Sequence, residues 1–555
     1  MPVVRCCLRP LADYEGKAIT KNTDTISEPT RSTGKQPGVG RAAFLVAAGI
    51  FLSRIAGLIR DRVFAHFFGN SYAADAFRAA LRIPNFLQNL FGEGVLSASF
   101  IPVYAKLVAQ GDEEESGRIA GAVLSLLTLT TSLLVLFGVL ATPLLIEAIA
   151  PGFKGETRRL AIQLVRILFP GVGLLVLSAW CLGILNSHRK FFLSYVAGVI
   201  WNAAIIITLL AFGRRSGLSR LAVYTAWGSV IGSGLQFAAQ LPIALRLVKR
   251  FRFVFGIYDS NVRTILRNFL PVFVSRGIVQ LSAFIDAFLA SFLPTGSLAA
   301  LAYAQTLYLL PVSLFGMSIS VAELPAMSST LGNEEEIAAS LRERIQSSTR
   351  RIAFFVVPSA VAFLALGDVI AATIYQTGRF QHADSIYVWS ILAGSAVGLA
   401  ASTIGRLYSS AYYALRDTRS PMKFAIVRVI LTTALGYLFA LPLPRWIGID
   451  ARWGVAGLTA SAGLSGWIEF HLLRRGMNRR IGKAPFPSSY FAKLWISSAG
   501  AAAVAWGIKI GLHPARPLLA GLLILVPYGL VYLGATSLFG INQAASLLKR
   551  FSPRQ

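Results

Sequence analysis

Cysteine is scarce in this sequence, and its scarcity excludes several classes of protein. Only three cysteines occur among 555 residues, at Cys6, Cys7 and Cys181. Two of them are adjacent and the third is distant, so they provide neither a disulfide framework nor metal-ligand spacing. We therefore expect no disulfide scaffold and no bound metal, and no pattern in the chain calls for a cofactor.

Charged residues are also few. They make up 14% of the chain, whereas 55% of the residues are hydrophobic. A soluble domain has about 25% charged residues, so this composition predicts an all-α polytopic membrane protein. The net charge of +28 would suggest nucleic acid in a soluble chain. Here the basic residues lie mostly in short loops between apolar runs, where they set topology and contact anionic membrane lipids. We expect no nucleic-acid partner.

Catalytic signatures are missing as well. The sequence has no glycine-rich phosphate loop and no HExxH motif, and its five histidines are scattered. A membrane-embedded enzyme acting on polyprenyl phosphates would need clustered carboxylates or histidines at a membrane edge. The sequence offers no such cluster, and we predict that the protein is not an enzyme.

Long apolar segments are what the chain does contain. From residue 41 onwards, segments of the roughly 20 residues that a bilayer requires follow one another, and we count fourteen. They are 41–69, 74–107, 117–148, 158–186, 192–213, 221–247, 263–292, 298–329, 345–375, 385–414, 422–442, 453–474, 490–511 and 516–540. Spans that contain proline should be kinked or broken.

The flanking segments and the loops predict the orientation. Residues 1–40 are polar and lack the apolar core of a signal peptide, so we predict a disordered cytoplasmic tail, with a second cytoplasmic tail at 546–555. Basic residues concentrate in the loops after even-numbered spans, above all at 246–252 and 474–483. Because cytoplasmic loops carry the excess of lysine and arginine, both termini should be cytoplasmic.

An internal repeat divides the chain into two lobes. The sequence of residues 51–54, FLSR, recurs at 273–276 as FVSR, and the Phe-Gly pair at 91–92 recurs at 315–316 with nearly the same separation. This is the parallel repeat of transporters, whose binding site lies between the repeats. We predict an N-lobe at 41–252, a C-lobe at 253–483, and a separate pair of helices at 484–545.

Charged residues inside the second span share one helical face. Asp75, Arg78, Arg82, Asn85, Asn89 and Glu93 are spaced by three or four residues, which places them along one side of a helix. Ionisable groups within membrane spans normally face a polar interior and carry function. Together with Arg54 and Arg60 of the first span and Arg276 of the seventh, they predict a water-filled cavity.

The excess of arginine in this set indicates an anionic substrate. The planar guanidinium group matches phosphate oxygens in a bidentate manner, so we expect a phosphate or diphosphate. The alternative is that these charges neutralise one another, for example Arg78 with Asp75 one turn away. Asp286, in the middle of the seventh span, could pair with an arginine, carry a proton or help to bind a cation.

Two stretches resemble a known family closely. SRIAGLIRDRVFAHFFG at 53–69 and AADAFRAALRIPNFLQNLFGEGVLSASFIPVYAK at 73–106 are similar to the opening of the MurJ (MviN) family of lipid II flippases. That family belongs to the multidrug/oligosaccharidyl-lipid/polysaccharide exporter superfamily. The resemblance continues through PVSLFGMSISVAELPAMS at 311–328 and covers nearly everything after residue 40.

The resemblance implies a fourteen-helix transporter of the bacterial cytoplasmic (inner) membrane, with two six-helix lobes around a cationic cavity. Its substrate would be lipid II, the undecaprenyl-diphosphate-linked peptidoglycan precursor, moved to the periplasmic leaflet by alternating access. It also implies that the last two helices hold the lipid tail, and cell-wall synthesis enzymes would be candidate partners. The family's substrate-binding residues fall on Ser53, Arg54, Arg60, Asp75 and Glu93.

The sequence departs from the family at two places. Where the family often has arginines in its second helix, this chain has Gln88-Asn89, and where it often has an Asp-Arg pair in its eighth helix, the residues are Gln305-Thr306. The arginine of the eighth helix is thus absent, and Arg276 is present on the seventh. We predict that Arg276 replaces it.

Three other functions fit parts of the sequence. An exporter of another polyprenyl-linked saccharide would share most of these features. A drug-cation antiporter would need an acidic cavity, which the arginines argue against. A scaffold for cell-wall assembly that transports nothing would tolerate loss of the intramembrane arginines, so Arg54→Ala separates it from a transporter.

Overall fold

The computed structural model describes residues 39–91, 93–254, 259–329, 333–512 and 516–544. Side chains at 39–47, 50, 84, 93–95, 97–98, 191, 195 and 270–283 are outside this description. Within the described residues the fold contains helices and no strand, apart from one isolated bridge between Thr377 and Phe380. The predicted all-α class is confirmed. The predicted tails at 1–40 and 546–555 fall almost entirely outside the described residues.

Eight helices form an N-terminal bundle, in which α1 packs on α7, α2 on α6 and α6 on α8. They are α1 (Val39–Phe68), α2 (Tyr72–Phe91), α3 (Glu93–Gln110), α4 (Glu113–Leu140), α5 (Thr142–Ile149), α6 (Gly155–Ser187), α7 (Phe191–Phe212) and α8 (Leu218–Leu247). A long helix, α9 (Ser260–Ser291), follows and contacts α2 and α3 of this bundle as well as α10 and α15 of the next.

A C-terminal bundle is built around α14, which packs against α12 and α17. Its helices are α10 (Ser297–Pro311), α11 (Ser318–Ser328), α12 (Glu334–Ala365), α13 (Gly367–Tyr375), α14 (His382–Ala414), α15 (Arg419–Ala440), α16 (Pro442–Trp446) and α17 (Gly454–Ile481). The last two described helices, α18 (Ser488–Leu512) and α19 (Pro517–Leu538), form a hairpin beside α12 and α13.

The predicted spans coincide with these helices, singly or as runs of two. Ten of the described helical segments are long and apolar enough to cross a membrane, which agrees with a multi-pass membrane protein. The other predicted spans fall on α1, on α2 with α3, on α9 and on α17. The count of fourteen spans stays a prediction.

A predicted interruption at a proline occurs in the eighth span. In the second predicted span Pro102 lies inside α3, and the residue between the end of α2 at Phe91 and the start of α3 at Glu93 is outside the description. In the eighth span, a π-helical turn at Val312–Met317 separates α10 from α11 and contains the pair at 315–316. This turn directly follows Pro311, whose ring cannot donate a helical hydrogen bond.

Another proline attaches the α18–α19 hairpin to the C-terminal bundle. Pro358 lies inside α12 and has no N–H, so the carbonyl of Phe354, four residues earlier, loses its helical donor. The Tyr532 hydroxyl donates to that carbonyl at 2.6 Å, and the Tyr528 hydroxyl donates to the Pro358 carbonyl at 2.7 Å. Lys509 adds an ion pair to Asp368, with Nζ 2.5 Å from Oδ2.

Candidate functional site

A polar cavity lies between the N-terminal bundle and α10. Its first part, which we call the serine–arginine compartment, has a volume of about 490 Å³. Its walls come from α1, α7, α8, α10 and the π-helical turn. The polar lining residues are Ser53, Arg54, Arg60, Asp61, Ser194, Asn202, Gln236, Thr306 and Ser313. The volume is within the 300–1,000 Å³ range of ligand pockets.

A second part, the amide compartment, adjoins the first and has a volume of about 400 Å³. The two share Arg60, Thr306 and Leu309 as lining residues. The amide compartment is lined by α1, α2, α7, α9 and α10. Its polar residues are Arg60, Arg78, Arg82, Asn85, Asn89, Gln305 and Thr306, and its aromatic residues are Phe86, Trp201 and Phe284.

A cluster around Asp61 separates the two compartments. The Asp61 carboxylate accepts from Arg60 Nη2 at 2.9 Å and from Arg78 Nη2 at 3.3 Å. Its other oxygen accepts from the Thr306 hydroxyl at 3.1 Å. The alternative pairing of Arg78 with Asp75 is therefore wrong, because Arg78 reaches back to α1. Thr306 occupies the position at which the family often has an arginine, and it binds the aspartate instead.

Aromatic rings hold the two paired arginines in place. The Arg78 guanidinium lies 4.6 Å from the ring centre of Phe64 and 5.1 Å from that of Tyr303. The Arg60 guanidinium lies 5.1 Å from the ring centre of Trp201, and its Nη1 donates to the Asn202 side chain at 3.0 Å. Such cation–π contacts stabilise a guanidinium that has lost part of its water.

The charge of the cavity is positive. Among the described lining residues of both compartments there are four guanidinium groups, from Arg54, Arg60, Arg78 and Arg82, and one carboxylate, from Asp61. One carboxylate cannot neutralise four guanidinium groups. Arg54 is exposed to the cavity. The arrangement therefore favours a ligand with more than one negative charge.

Asp75 has a different position from the one we predicted. It is 2% exposed and is not among the residues that line either compartment. Its carboxylate accepts from the backbone N–H of Gly296 at 2.5 Å and of Ala299 at 2.8 Å, at the first turn of α10. A carboxylate at a helix N-terminus satisfies N–H groups that have no helical partner. Asp75 thus joins α2 to α10.

Glycine is required at this junction. Gly296 has a φ of +91°, and a Cβ there would lie 2.5 Å from the Asn70 carbonyl oxygen. Only glycine adopts such a backbone conformation without strain and allows this close approach. The contact brings the turn between α1 and α2 directly against the start of α10.

Further hydrogen bonds connect the same region to the C-terminal bundle, and we call this region the α1–α2 end. Arg62 Nη1 donates to the carbonyls of Thr373 and Ile374 at 2.8 and 2.6 Å. The Asn70 amide donates to Asp384 at 3.0 Å, and the His66 carbonyl accepts from the Arg379 backbone at 2.8 Å. The two bundles are held together here mainly by bonds to backbone groups.

The opposite end of the cavity has a different kind of contact, and we call it the α9 end. Arg118 of α4 lies between Glu115, at 2.6 Å, and Asp259, at 2.5 Å, just before α9. Asn261 donates to Glu115 at 3.0 Å. The Arg118 side chain is 47% exposed. Here the polar contact is a half-exposed ion pair, beside which Val262 and Ile265 of α9 pack against the N-terminal bundle.

A third, smaller cavity of about 140 Å³ contains Asp286 and Arg428 and shares Gln305 with the amide compartment. Asp286 lies within electrostatic range of Arg82 on α2 and Arg428 on α15. Arg428 also pairs with Glu469 at 3.1 Å. Among the described residues Asp286 Oδ1 is buried without a hydrogen-bond partner, so the three alternatives for Asp286 stay predictions.

The structure can place most of the predicted site residues. Ser53, Arg54 and Arg60 line the first compartment, and Arg60, Arg78 and Arg82 line the second. The prediction that the α2 stripe shares one wet face is confirmed for Arg78, Arg82, Asn85 and Asn89. Glu93 begins α3 and Arg276 lies within α9, but their side chains are outside the described part of the chain.

Sequence reasoning missed the contribution of α7. Asn202 and Trp201 both contact Arg60, and neither was predicted. A signal was present, because Asn202 is a lone amide in the middle of an apolar span, where polar side chains are expensive. No group of His, Cys, Asp and Glu suited to a metal ion occurs among the described residues.

Similarity to known proteins is extensive. A family model described as "Lipid II flippase MurJ" matches residues 64–526. The chain is 32% identical over 404 residues to the "Probable lipid II flippase MurJ" of Aquifex aeolicus (strain VF5), covering 73% of this chain and 78% of that protein. It is 29% identical over 484 residues to the "Lipid II flippase MurJ" of Burkholderia cenocepacia (strain ATCC BAA-245 / DSM 16553 / LMG 16656 / NCTC 13227 / J2315 / CF5610), covering 84% of this chain and 89% of that protein.

Solved structures show the same similarity at the level of the fold. A structure described as "Lipid II flippase MurJ, inward closed conformation" matches with a TM-score of 0.74 and 27% identity, covering 89% of this chain and 98% of that one. An inward-facing multidrug resistance MATE family transporter of the MOP superfamily matches with a TM-score of 0.61 and 17% identity, covering 80% of this chain and all of that one. The second match shows the fold alone.

Proposed function

This chain belongs to the MurJ family of lipid II flippases, and from that premise we propose that it carries lipid II from the cytoplasmic to the periplasmic leaflet of a bacterial inner membrane. Lipid II joins a disaccharide-pentapeptide to undecaprenyl diphosphate. The protein is a transporter and not an enzyme, so it forms and breaks no covalent bond. It acts by binding the lipid on one side and releasing it on the other.

The observation that carries this proposal is the positive cavity. Four arginines and one aspartate line its two compartments. A charged group within the bilayer is costly unless it is paired or faces water, so an excess of guanidinium groups over carboxylates is retained where a ligand needs it. The diphosphate of lipid II supplies the missing negative charge and the oxygen geometry that the guanidinium fork matches.

Within this cavity Arg54 is the residue best placed to bind the diphosphate directly. It lines the serine–arginine compartment together with Ser53 and is exposed. Arg60 and Arg78 share the Asp61 carboxylate, so they hold the compartment in shape and retain part of their positive charge. Arg82 adds positive charge in the amide compartment.

Three predicted roles belong to this proposal and rest on the sequence. Arg276 replaces the arginine that the family often has in its eighth helix, where this chain has Thr306 bonded to Asp61. Glu93 contributes to the site from the start of α3. Asp286, within electrostatic range of Arg82 and Arg428, couples the charge of the cavity to the C-terminal bundle.

The proposed movement is alternating access of two lobes, 41–252 and 253–483, about the cavity. Such a movement requires contacts between the lobes that can separate. The bonds from the Asp75 carboxylate of α2 to the first turn of α10 are a contact of this kind. The distribution of basic loops puts both chain termini in the cytoplasm, so the α1–α2 end faces the periplasm. In the present arrangement the hydrogen bonds of the α1–α2 end close that side.

The lipid tail needs an apolar surface outside the cavity. The α18–α19 hairpin offers one, with exposed side chains such as Trp506, Leu522 and Leu530. The tyrosine bonds to α12 fix this hairpin to the C-terminal bundle. We therefore propose that residues 484–545 guide the undecaprenyl chain. Contact with cell-wall synthesis enzymes also stays a prediction.

The test is complementation of a bacterium depleted of its flippase, scored as lipid II accessible at the outer leaflet. Arg54→Ala should lower the accessible lipid II at least about tenfold, since a hydrogen bond to a charged group is worth about 1.5–3 kcal/mol. Arg54→Lys keeps the charge but not the fork and should give an intermediate value. Arg276→Ala should abolish complementation.

The matched control is Arg158→Ala, which removes a partly exposed arginine that pairs with Glu147 outside the cavity. It should complement like the unchanged protein. Full complementation by Arg54→Ala, at equal expression, would contradict binding of the diphosphate in this cavity and would favour a scaffold that transports nothing. Full complementation by Arg276→Ala would reject the replacement proposed for that residue.

A further inference from the structure

The amide compartment differs in chemistry from the serine–arginine compartment. Three of its side chains carry a positive charge, but Asn85, Asn89 and Gln305 add carboxamides, and Phe86, Trp201 and Phe284 add aromatic surface. A carboxamide both donates and accepts hydrogen bonds. Hydroxyl and acetamido groups do the same, so they suit such a wall better than a diphosphate, which only accepts.

The three carboxamides are available to a ligand. Across the described residues, none of these side chains makes a hydrogen bond within the protein, whereas Asn202 of the serine–arginine compartment is bonded to Arg60 and to the Gly198 carbonyl. Asn85 and Asn89 are exposed to the cavity. A polar side chain inside a membrane protein is retained for a use, because it is costly there without a partner.

The order of surfaces along the cavity matches the order of groups in the substrate. Exposed apolar residues of α1, among them Phe51, Ile55 and Ile59, lie on the same helix as Arg54 of the serine–arginine compartment. The amide compartment lies beyond the Asp61 cluster. In lipid II the diphosphate stands between an apolar tail and a sugar. A diphosphate beside Arg54, with its tail leaving along the apolar face of α1 towards the α18–α19 hairpin, which contacts α13 beside α1, leaves the sugar on the side of the amide compartment.

We propose that the amide compartment is the carbohydrate subsite, in which Asn85, Asn89 and Gln305 bind the hydroxyl and acetamido groups of the sugar next to the diphosphate. The aromatic rings provide the apolar surface on which a sugar ring packs, as in other ligand pockets lined by aromatic and a few polar side chains. This assignment rests on the proposed function and makes these residues determinants of specificity.

The consequence is that the protein distinguishes a glycosylated polyprenyl diphosphate from a bare one. Positively charged side chains recognise the diphosphate, and carboxamides in defined positions recognise the sugar. A site built to hydrogen-bond polar groups discriminates strongly against a ligand that lacks them, because its own groups then stay unpaired.

The test compares two probes, lipid II and undecaprenyl diphosphate without sugar, by native mass spectrometry of the full chain. The variant is Asn85→Leu combined with Asn89→Leu. Its affinity for lipid II should fall about tenfold, from the loss of two hydrogen bonds, and its affinity for undecaprenyl diphosphate should stay within about twofold of the unchanged protein, by the same arithmetic. Arg54→Ala should weaken both probes.

Controls separate a local effect from a folding defect. Gln88→Leu makes the same kind of change on α2 at a position outside both compartments, and it should leave both affinities unchanged. Gln305→Leu provides a second variant from α10, which should weaken lipid II selectively.

The outcomes distinguish this inference from the proposed function. Equal weakening of both probes by the Asn85/Asn89 variant, or no weakening of either, overturns the carbohydrate subsite and leaves the flippase proposal standing. If the unchanged protein binds neither probe, the proposed function fails and the subsite fails with it. Selective loss of lipid II supports the subsite.

Discussion

The two ends of the cavity are closed by different physical means. At the α1–α2 end, buried or half-buried side chains bond to backbone groups across the bundles, as Asp75 does with Gly296 and Ala299. At the α9 end, the main polar contact is the ion pair of Arg118 with Asp259, in which the Arg118 side chain is 47% exposed, and it lies beside the apolar packing of Val262 and Ile265. Solvent-exposed ion pairs contribute about 0–1 kcal/mol, whereas a hydrogen bond to a charged group contributes about 1.5–3 kcal/mol.

The difference predicts which end separates first. The polar contact of the α9 end should separate more readily than those of the α1–α2 end, which should open only when something offsets the loss of its hydrogen bonds. In the proposed orientation this lets lipid II enter from the cytoplasmic side while the periplasmic side stays closed. Binding of the substrate then has to favour the opposite arrangement, because a ligand shifts an equilibrium only by its differential affinity for the two states.

The largest effect should come from Asp75→Ala. It removes a buried carboxylate from two backbone N–H groups, so the closed α1–α2 end should lose about 3 kcal/mol. Electron–electron distance measurements between spin labels at Arg215 and His382, both exposed, should show a new, longer distance. Ser71→Ala is the matched control, since among the described residues its hydroxyl accepts a bond from the Ala74 backbone N–H of α2 alone, and it should leave the distance unchanged. An unchanged distance in Asp75→Ala would contradict the claim that these hydrogen bonds keep the α1–α2 end closed.

A smaller effect is expected from Arg62→Met. The substitution keeps much of the length of the side chain and removes the donors to the Thr373 and Ile374 carbonyls at the end of α13. The expected loss is about 1–2 kcal/mol, since cations near helix C-termini are stabilising by up to ~2 kcal/mol. The same label pair should show a partial population of the longer distance. A shift as large as that of Asp75→Ala would show that the hydrogen bonds of Asp75 contribute no more to closing this end than those of Arg62.

The smallest effect belongs to Arg118→Ala at the α9 end. Because the side chain is nearly half exposed, we expect a loss below about 1 kcal/mol. Labels at Gln110 and Arg263, both exposed, should report a modest change at low ionic strength. That change should disappear in ~1 M salt, where the screening length is about 3 Å. A large, salt-independent opening would contradict the assignment of this end as the weaker one.

The arginines that line the cavity could be predicted from the sequence, but the partners of these arginines could not. Helical spacing was sufficient to place Arg78, Arg82, Asn85 and Asn89 on one face, and the structure confirms this. Spacing could not show that Arg78 bonds Asp61 of the preceding helix, because that contact depends on how α1 and α2 pack. The broken eighth span was readable in advance from Pro311.

Contacts between distant parts of the chain were the least accessible. Asp75 accepts hydrogen bonds from the backbone N–H groups of Gly296 and Ala299. Every residue except proline has such a group, so the sequence does not indicate which ones a carboxylate will bind. Thr306 is similar, since nothing in its neighbourhood indicates a bond to Asp61. The repeat indicated that two lobes face one cavity, and the boundaries of those lobes stay a prediction, since α9 contacts both bundles.

The central claim is that the cavity recognises negative charge on a polyprenyl lipid. The most direct test measures binding of three lipids with the same tail to the full chain by native mass spectrometry: undecaprenyl diphosphate, undecaprenyl monophosphate and undecaprenol. We expect the affinity to fall at least about tenfold from the diphosphate to the alcohol, with the monophosphate between them, as charge-assisted hydrogen bonds are lost. Equal affinity for the diphosphate and the alcohol would contradict the claim.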